Sequence, residues 1–133
     1  DAFQMFMRKY PGSERIDEAK EIVSELNNKL AKKSYRNSKL YFELGDYKAA
    51  IIALKNSLED FPQSEYREQT LFYILKSSFL LAENSIQSKQ KQRYQSTLDE
   101  YYSFIDEYPN SDFVKEAKNI YEQSSDYLNN NKS

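Results

Sequence analysis

The chain has no cysteine and no histidine among its 133 residues. Without cysteine there are no disulfides and no thiolate metal sites, although the cellular compartment stays open. Without histidine it lacks the usual general base near neutral pH and the commonest transition-metal ligand. Tryptophan is also missing, glycine occurs twice and proline three times. No run approaches the roughly 20 apolar residues that a bilayer-crossing helix needs. A formal net charge of −2 gives no general pull toward nucleic acid or an anionic membrane. The carboxylate pairs Asp99/Glu100, Asp106/Glu107 and Glu59/Asp60 are then the only candidates for acid–base chemistry. Such pairs work only where burial drives their pKa values apart, and these sit at helix ends beside Lys and Arg, as solvated charges do. No phosphate loop, nucleophile elbow or metal spacing is present. The expectation is a protein with no catalytic residue, no metal and no cofactor.

What is abundant is helix-forming sequence. Apolar residues make up 39% and charged residues 30%, enough for a continuous core under a solvated surface. The aromatics are 12 Tyr and 8 Phe, and a ring with a wet hydroxyl suits a half-buried helix face. From Ser13 to Leu44 neither proline nor glycine occurs. Ile16, Ala19, Ile22, Val23, Leu26 and Leu30 fall at i, i+3, i+4, i+7 spacing, and the pattern continues through Tyr35, Ser38, Tyr41, Phe42 and Leu44. Ser13 is placed to cap this helix, with Glu14 and Asp17 favoured by its dipole. One helix over about 13–44 is expected, about 45 Å long, with a break near Lys32–Ser34 as the alternative. Gly45-Asp46 ends it and caps the next. Tyr47 to Asp60 forms that helix, and Pro62 stops it. Further helices are expected over 64–83, 93–108 and 111–128, with Asn84–Gln92 as a polar loop and 129–133 as a disordered tail. No segment reads as a strand.

Tyr10-Pro11-x-Ser13, Phe61-Pro62-x-Ser64 and Tyr108-Pro109-x-Ser111 punctuate the chain at intervals of 51 and 47 residues. Their surroundings agree in phase: Phe3, Leu54 and Tyr101 precede the prolines by one fixed distance, and Ala19, Thr70 and Ala117 follow by another. Self-similarity at this period signals stacked helical hairpins that share their apolar faces. Residues 38–62 resemble the tetratricopeptide repeat. Small Ser38 stands where two helices cross and Tyr41 packs beneath it. Gly45-Asp46-Tyr47 makes the turn, Ala50 is the second close contact, Leu54 fills the groove and Pro62 ends the hairpin. The expected fold is an all-α, tetratricopeptide-like solenoid. Its parts are the end of a truncated repeat (1–11), the long helix plus a hairpin (13–62), a second hairpin (63–109) and a terminal helix (110–128).

A narrower resemblance covers nearly the whole chain. The run Lys9-Tyr10-Pro11-Gly12-Ser13, then Leu30-Ala31-Lys32-Lys33-x-Tyr35, then Gly45-Asp46-Tyr47-x-Ala49-Ala50, is similar to the C-terminal half of the BamD family. That resemblance implies a lipoprotein on the periplasmic face of the Gram-negative outer membrane. Its partners would be the periplasmic domains of the barrel-inserting protein BamA and accessory lipoproteins. It also implies an upstream half and a lipid anchor, which suits a chain that opens on Asp1 and on what reads as the last turns of a helix. The CpoB family of periplasmic adaptors also carries Tyr-Pro-x-Ser repeats, at more regular spacing. It supplies the alternative of a generic adaptor or peptide-binding module.

Three surfaces are candidates for partner contact. Lys29, Lys32 (or Lys33), Arg36 and Lys39 follow one side of the long helix, either to meet an acidic partner or as a solvated face balanced by Glu25 and Glu43. Lys48, Ile52, Lys55 and Glu59 lie opposite the core face of helix 47–60. There Ile52 is either covered by the following helix or serves as an anchor for a partner. BamD relatives often carry an arginine where this chain has Ala53, so their ion pair does not transfer and Lys55 is the nearest substitute. Lys89-Gln90-Lys91-Gln92-Arg93 could meet lipid head groups or simply face water. Basic residues interleaved with stacking aromatics, as nucleic-acid binding needs, are not seen.

Overall fold

The computed structural model describes residues 2–9 and 14–132. Six helices follow one another and no strand occurs among the described residues: α1 (Ala2–Lys9), α2 (Glu14–Glu43), α3 (Tyr47–Asp60), α4 (Arg67–Glu83), α5 (Gln87–Glu107) and α6 (Val114–Asn130). Each packs on the next, so the chain builds an all-α stack of helical hairpins. The first Pro-x-Ser mark, the expected cap Ser13 and the side chain of Phe3 lie outside the described residues.

The long helix is continuous over Glu14–Glu43, without a break at Lys32–Ser34. Gly45 ends it at φ +81, the left-handed region that only glycine enters without strain. Asp46 then accepts a hydrogen bond from Ala49 N at 3.2 Å through Oδ1 and caps α3. At the crossing of α2 and α3 the expected small residue is there: Ser38 is buried, with Oγ 2.7 Å from Ser34 O and 3.1 Å from Ala53 O. Ser34 Oγ donates to Ser57 Oγ at 2.8 Å beside it. Ala50 and Leu54 are fully buried against Tyr35 and Ile74, and Tyr47 tilts against Phe42 at 5.7 Å. Tyr41 departs from expectation. It is 44% exposed, and its neighbour Phe42 packs inward on Tyr73 at 5.1 Å instead. One residue is a rotation of about 100° on a helix, so Phe42 and Tyr41 cannot both face the hairpin.

The proline punctuation is a hydrogen-bonded device, built twice. Phe61 N donates to Ser57 O and Tyr108 N to Phe104 O, each at 2.9 Å, closing the preceding helix. Ser64 Oγ accepts from Tyr66 N at 3.0 Å and Ser111 Oγ from Phe113 N at 3.1 Å. These serines therefore hold a turn ahead of the helix rather than its cap, which is why α4 and α6 begin at Arg67 and Val114. Helix α6 is α4 displaced by the same 47 residues that separate Pro62 from Pro109. This register carries α6 to Asn130, two residues past the expected end, with Asn131 Nδ2 donating to Tyr127 O at 2.8 Å. The burial pattern keeps that register as well: Ala50/Thr97, Leu54/Tyr101, Ser57/Phe104, Thr70/Ala117 and Ser77/Ser124 are buried in both members.

The expected polar loop 84–92 shrinks to Asn84–Ile86, because α5 begins at Gln87 rather than Arg93. Its first turns carry no apolar stripe to betray them, yet Gln and Lys are good helix formers. Gln90 Nε2 donates to Ala82 O at 3.1 Å and Arg93 Nη1 to Ser85 Oγ at 2.5 Å, pinning the segment to the end of α4 and the turn that follows it. The main core lies between α4, α5 and α6. It centres on Phe72, 1% exposed, stacked on Phe113 at 4.3 Å and edge-on to Phe104 at 5.9 Å.

Candidate functional site

On α3 the core face Ala50, Leu54 and Ser57 is buried, and the opposite face is in solvent. Lys48, Ile52, Lys55 and Glu59 are all exposed there, on one side of the helix. The following helix does not cover Ile52, which is 56% exposed, because α4 packs on the Ala50–Leu54 side. Ile52 is thus an apolar group within a turn of Lys48 and Lys55, the pattern of an anchor ringed by polar groups. Lys55 is committed within the chain: its Nζ lies 2.9 Å from Glu100 Oε1 on α5. Ala53 is half-buried, and its carbonyl is the acceptor facing Ser38, so this position belongs to the crossing with α2.

The basic stripe of α2 is divided. Lys32 and Arg36 are exposed, as are Lys29 and Lys33. Lys39 turns to the neighbouring helix, with Nζ 3.9 Å from Glu43 and 4.8 Å above the centre of the Tyr73 ring, an attraction of cation to ring face. The carboxylates considered for acid–base work serve as structural partners where they are engaged. Glu100 takes Lys55, and Glu107 takes Arg67 in a bidentate contact along one guanidinium edge, Nε to Oε1 and Nη2 to Oε2. That bidentate contact raises the Arg67 pKa above its ordinary value, while Arg67 Nη1 donates to Pro62 O at 3.0 Å. Among the described residues no group of His, Cys, Asp or Glu is gathered for a metal ion, and no helix is long and apolar enough to cross a membrane.

Two features were not legible from the residues. Ile22, Leu26 and Leu30, expected on the core face of α2, are 65%, 54% and 45% exposed. The buried side of this half of the helix is carried by Ile16 and Ala31, with Val23 partly covered. The second feature is a groove of about 440 Å³ where α2 runs past the α3–α4 turn. Asn27, Asn28 and Gln63 line it over a floor that includes Val23, Ala31 and Phe61. The sequence signal for it was present, since Lys20, Val23, Asn27 and Ala31 share one stripe at helical spacing, but nothing in the residues placed the 60–64 turn opposite.

Against the known protein families, residues 1–93 match the one described as YfiO, outer membrane lipoprotein. The chain belongs to the YfiO family. Curated proteins gave no match. The YfiO match takes in α1 to α4 and the first turns of α5, so the exposed α2 stripe, the Ile52 face and the groove all lie inside it. The last hairpin lies mostly beyond it and is tied to the rest by the 47-residue register instead.

Proposed function

We propose that this YfiO-family chain is a non-enzymatic scaffold of the outer-membrane β-barrel assembly machinery of the BamD kind, working at the periplasmic face of that membrane. The observation that carries this reading is the α3 outer face. Ile52 stands exposed among Lys48, Lys55 and Glu59 on a helix whose other side is locked into the stack. A rigid helix that offers one apolar anchor within a charged rim suits a preformed folded partner, and binding costs little ordering. BamA-like periplasmic domains, with accessory lipoproteins, are the proposed partners. Co-purification tests it: the chain should retain BamA-type periplasmic domains on a column, and Ile52→Asp should release them while the helical circular dichroism stays unchanged. Retention undiminished by Ile52→Asp would reject the face.

A second reading, an adaptor that grips an extended peptide, is favoured by the groove beside the 60–64 turn. Amide side chains both donate and accept, so Asn27, Asn28 and Gln63 suit a peptide backbone laid along the groove. Panning a library of short peptides against the chain checks it. Binders lost in Asn27→Ala/Asn28→Ala support the adaptor, and binders indifferent to that change count against it.

A further inference from the structure

Helices α3 and α5 carry their charges in the order that a helix disfavours. Acidic side chains suit a helix N-terminus and basic ones a C-terminus. Helix α3 instead has Lys48 in its first turn and Glu59 and Asp60 in its last. Helix α5 repeats this more strongly. From Asn84 to Leu98 there is no acid, and Lys89, Lys91 and Arg93 occur. From Tyr94 to Asp112 there is no base, and Asp99, Glu100, Asp106, Glu107 and Asp112 occur. The proline turns share one edge of the stack, where Arg67 meets Glu107 and Ser111 meets Glu68, and the 84–86 turn lies at the other. With Lys55 and Glu100 linking the two helices, their charges add, so the proline-turn edge is acidic and the opposite edge basic. The start of α5 is also poorly capped. Its N-cap is Ile86, 66% exposed and without a side-chain cap bond, where Ser, Thr, Asn or Asp is preferred. This tip is not a face left open by an absent hairpin. Helices α4 and α6 hold α5 through Gln90, which donates to Ala82 O and accepts from the Tyr127 hydroxyl. No ion pair among the described residues engages Lys48, Lys89 or Lys91. Local preferences broken together at one exposed spot mark a function.

We infer that the basic edge rests on a bilayer surface carrying anionic head groups, with Ile86 entering the head-group layer and Lys89 and Lys91 beside the phosphates. The YfiO family is described as outer membrane lipoprotein, which brings a bilayer within reach. The inference rests on that membership and not on a BamA-like partner. Helices α3 and α5 both end two residues before their prolines, but α5 has 21 residues and α3 has 14. The extra two turns carry the 84–86 tip about 10 Å beyond the start of α3, so the tip meets a flat surface first. A negative surface potential draws in each nearby lysine and falls off within a Debye length. The same field repels the acidic proline-turn edge, so the charge order sets which way the stack stands. One apolar residue and a few lysines bind weakly and reversibly by themselves. Such a patch serves as the second signal beside a lipid chain. The net charge of −2 conceals it, because the two edges oppose each other in the sum.

Flotation of the whole chain with lipid vesicles, no partner protein present, tests this apart from the scaffold reading. Vesicles of phosphatidylcholine with about 30% phosphatidylglycerol should carry the chain at about 0.1 M salt and release it at about 1 M. Vesicles of phosphatidylcholine alone should not carry it. Lys89→Gln/Lys91→Gln should weaken binding at least tenfold, at about fivefold per charge. Lys115→Gln/Lys118→Gln, the same charge change beside the acidic edge, should leave it within about twofold. Ile86→Ser separates membrane contact from packing. It should raise Tm by about 3 °C through a better cap and yet weaken vesicle binding several-fold. The chain has no cysteine, so an environment-sensitive dye can be placed at one site. On Ile86→Cys its emission should shift to the blue with vesicles, and on Asn110→Cys, at the exposed proline turn, it should not. Binding to neither kind of vesicle overturns the inference, and so does equal binding to both. It is also overturned by an equal loss in the two lysine pairs, by full vesicle binding of Ile86→Ser, or by duplex DNA bound as tightly as the vesicles.

Discussion

Replacing Leu54 by alanine removes the side chain on which the α2–α3–α4 hairpin closes. Leu54 is fully buried and packs with Ala50, Tyr35 and Ile74. Its neighbour Ala53 offers its carbonyl to Ser38 at the crossing with α2, and Tyr35 of the same cluster stacks on Tyr66 with 5.2 Å between ring centres. These hydrogen-bonded and stacked neighbours resist collapse into the gap. The loss belongs in the middle of the range for buried leucine, about 3 kcal/mol. That is a large share of the total for a domain stable by about 5–15 kcal/mol, and it corresponds to a fall in Tm of roughly 10 °C at this size. Tyr41→Ala is the matched control. The repeat pattern assigns Tyr41 a packing role, but its exposure limits the expected cost to about 0.5 kcal/mol. Urea unfolding followed by circular dichroism at 222 nm measures both, with the slope m unchanged if only stability moves. A Leu54→Ala midpoint indistinguishable from wild type, or a Tyr41→Ala loss as large as that of Leu54→Ala, would refute this account of the hairpin.

Three further outcomes are expected. Burial, helped by the nearby Tyr73, Glu43 and Tyr66, pushes the Tyr35 hydroxyl from its ordinary value of 10.0 up to about 12. The folded state therefore holds this proton longer than the unfolded chain. Stability from this group is full below about pH 10 and is lost as pH rises toward 12, so Tyr35→Phe should flatten part of the alkaline fall seen in urea midpoints across that window. Gly45→Ala should cost about 1 kcal/mol, from its positive φ alone, since an added Cβ meets nothing within 4 Å. Gly45→Asn should cost less, as asparagine tolerates the left-handed region better. A double-mutant cycle on Arg67 and Glu107, both partly exposed, should give a coupling of about 0.5–1 kcal/mol that shrinks with added salt.

Most of the fold could be read from the residues because its determinants are local. Gly45, Asp46 and the paired prolines fix where helices stop, and the 47-residue recurrence fixes how hairpins repeat. Errors arose where one helix must choose between faces. Apolar spacing on α2 places Ile16, Ile22, Leu26, Leu30 and Tyr35 in one core pattern; Ile16 and Tyr35 are buried, with Ala31, whereas Ile22, Leu26 and Leu30 are exposed. A stripe of leucines looks the same whether it meets this chain or another surface. The start of α5 was hidden for the opposite reason, since an exposed polar helix has no period to detect. On α3 the periodicity did place Lys48, Ile52, Lys55 and Glu59 on one outer face, but the Lys55–Glu100 pair joins helices distant in sequence and has no local signature. The groove at Asn27, Asn28 and Gln63 is likewise a meeting of distant segments.

Titrating the chain with BamA-type periplasmic domains by calorimetry, wild type beside Ile52→Asp, bears most directly on the scaffold reading. A saturable heat for wild type and at least tenfold weaker affinity for the folded variant is the expected result. Equal affinities, or no heat from either, would contradict a docking role for the exposed side of α3.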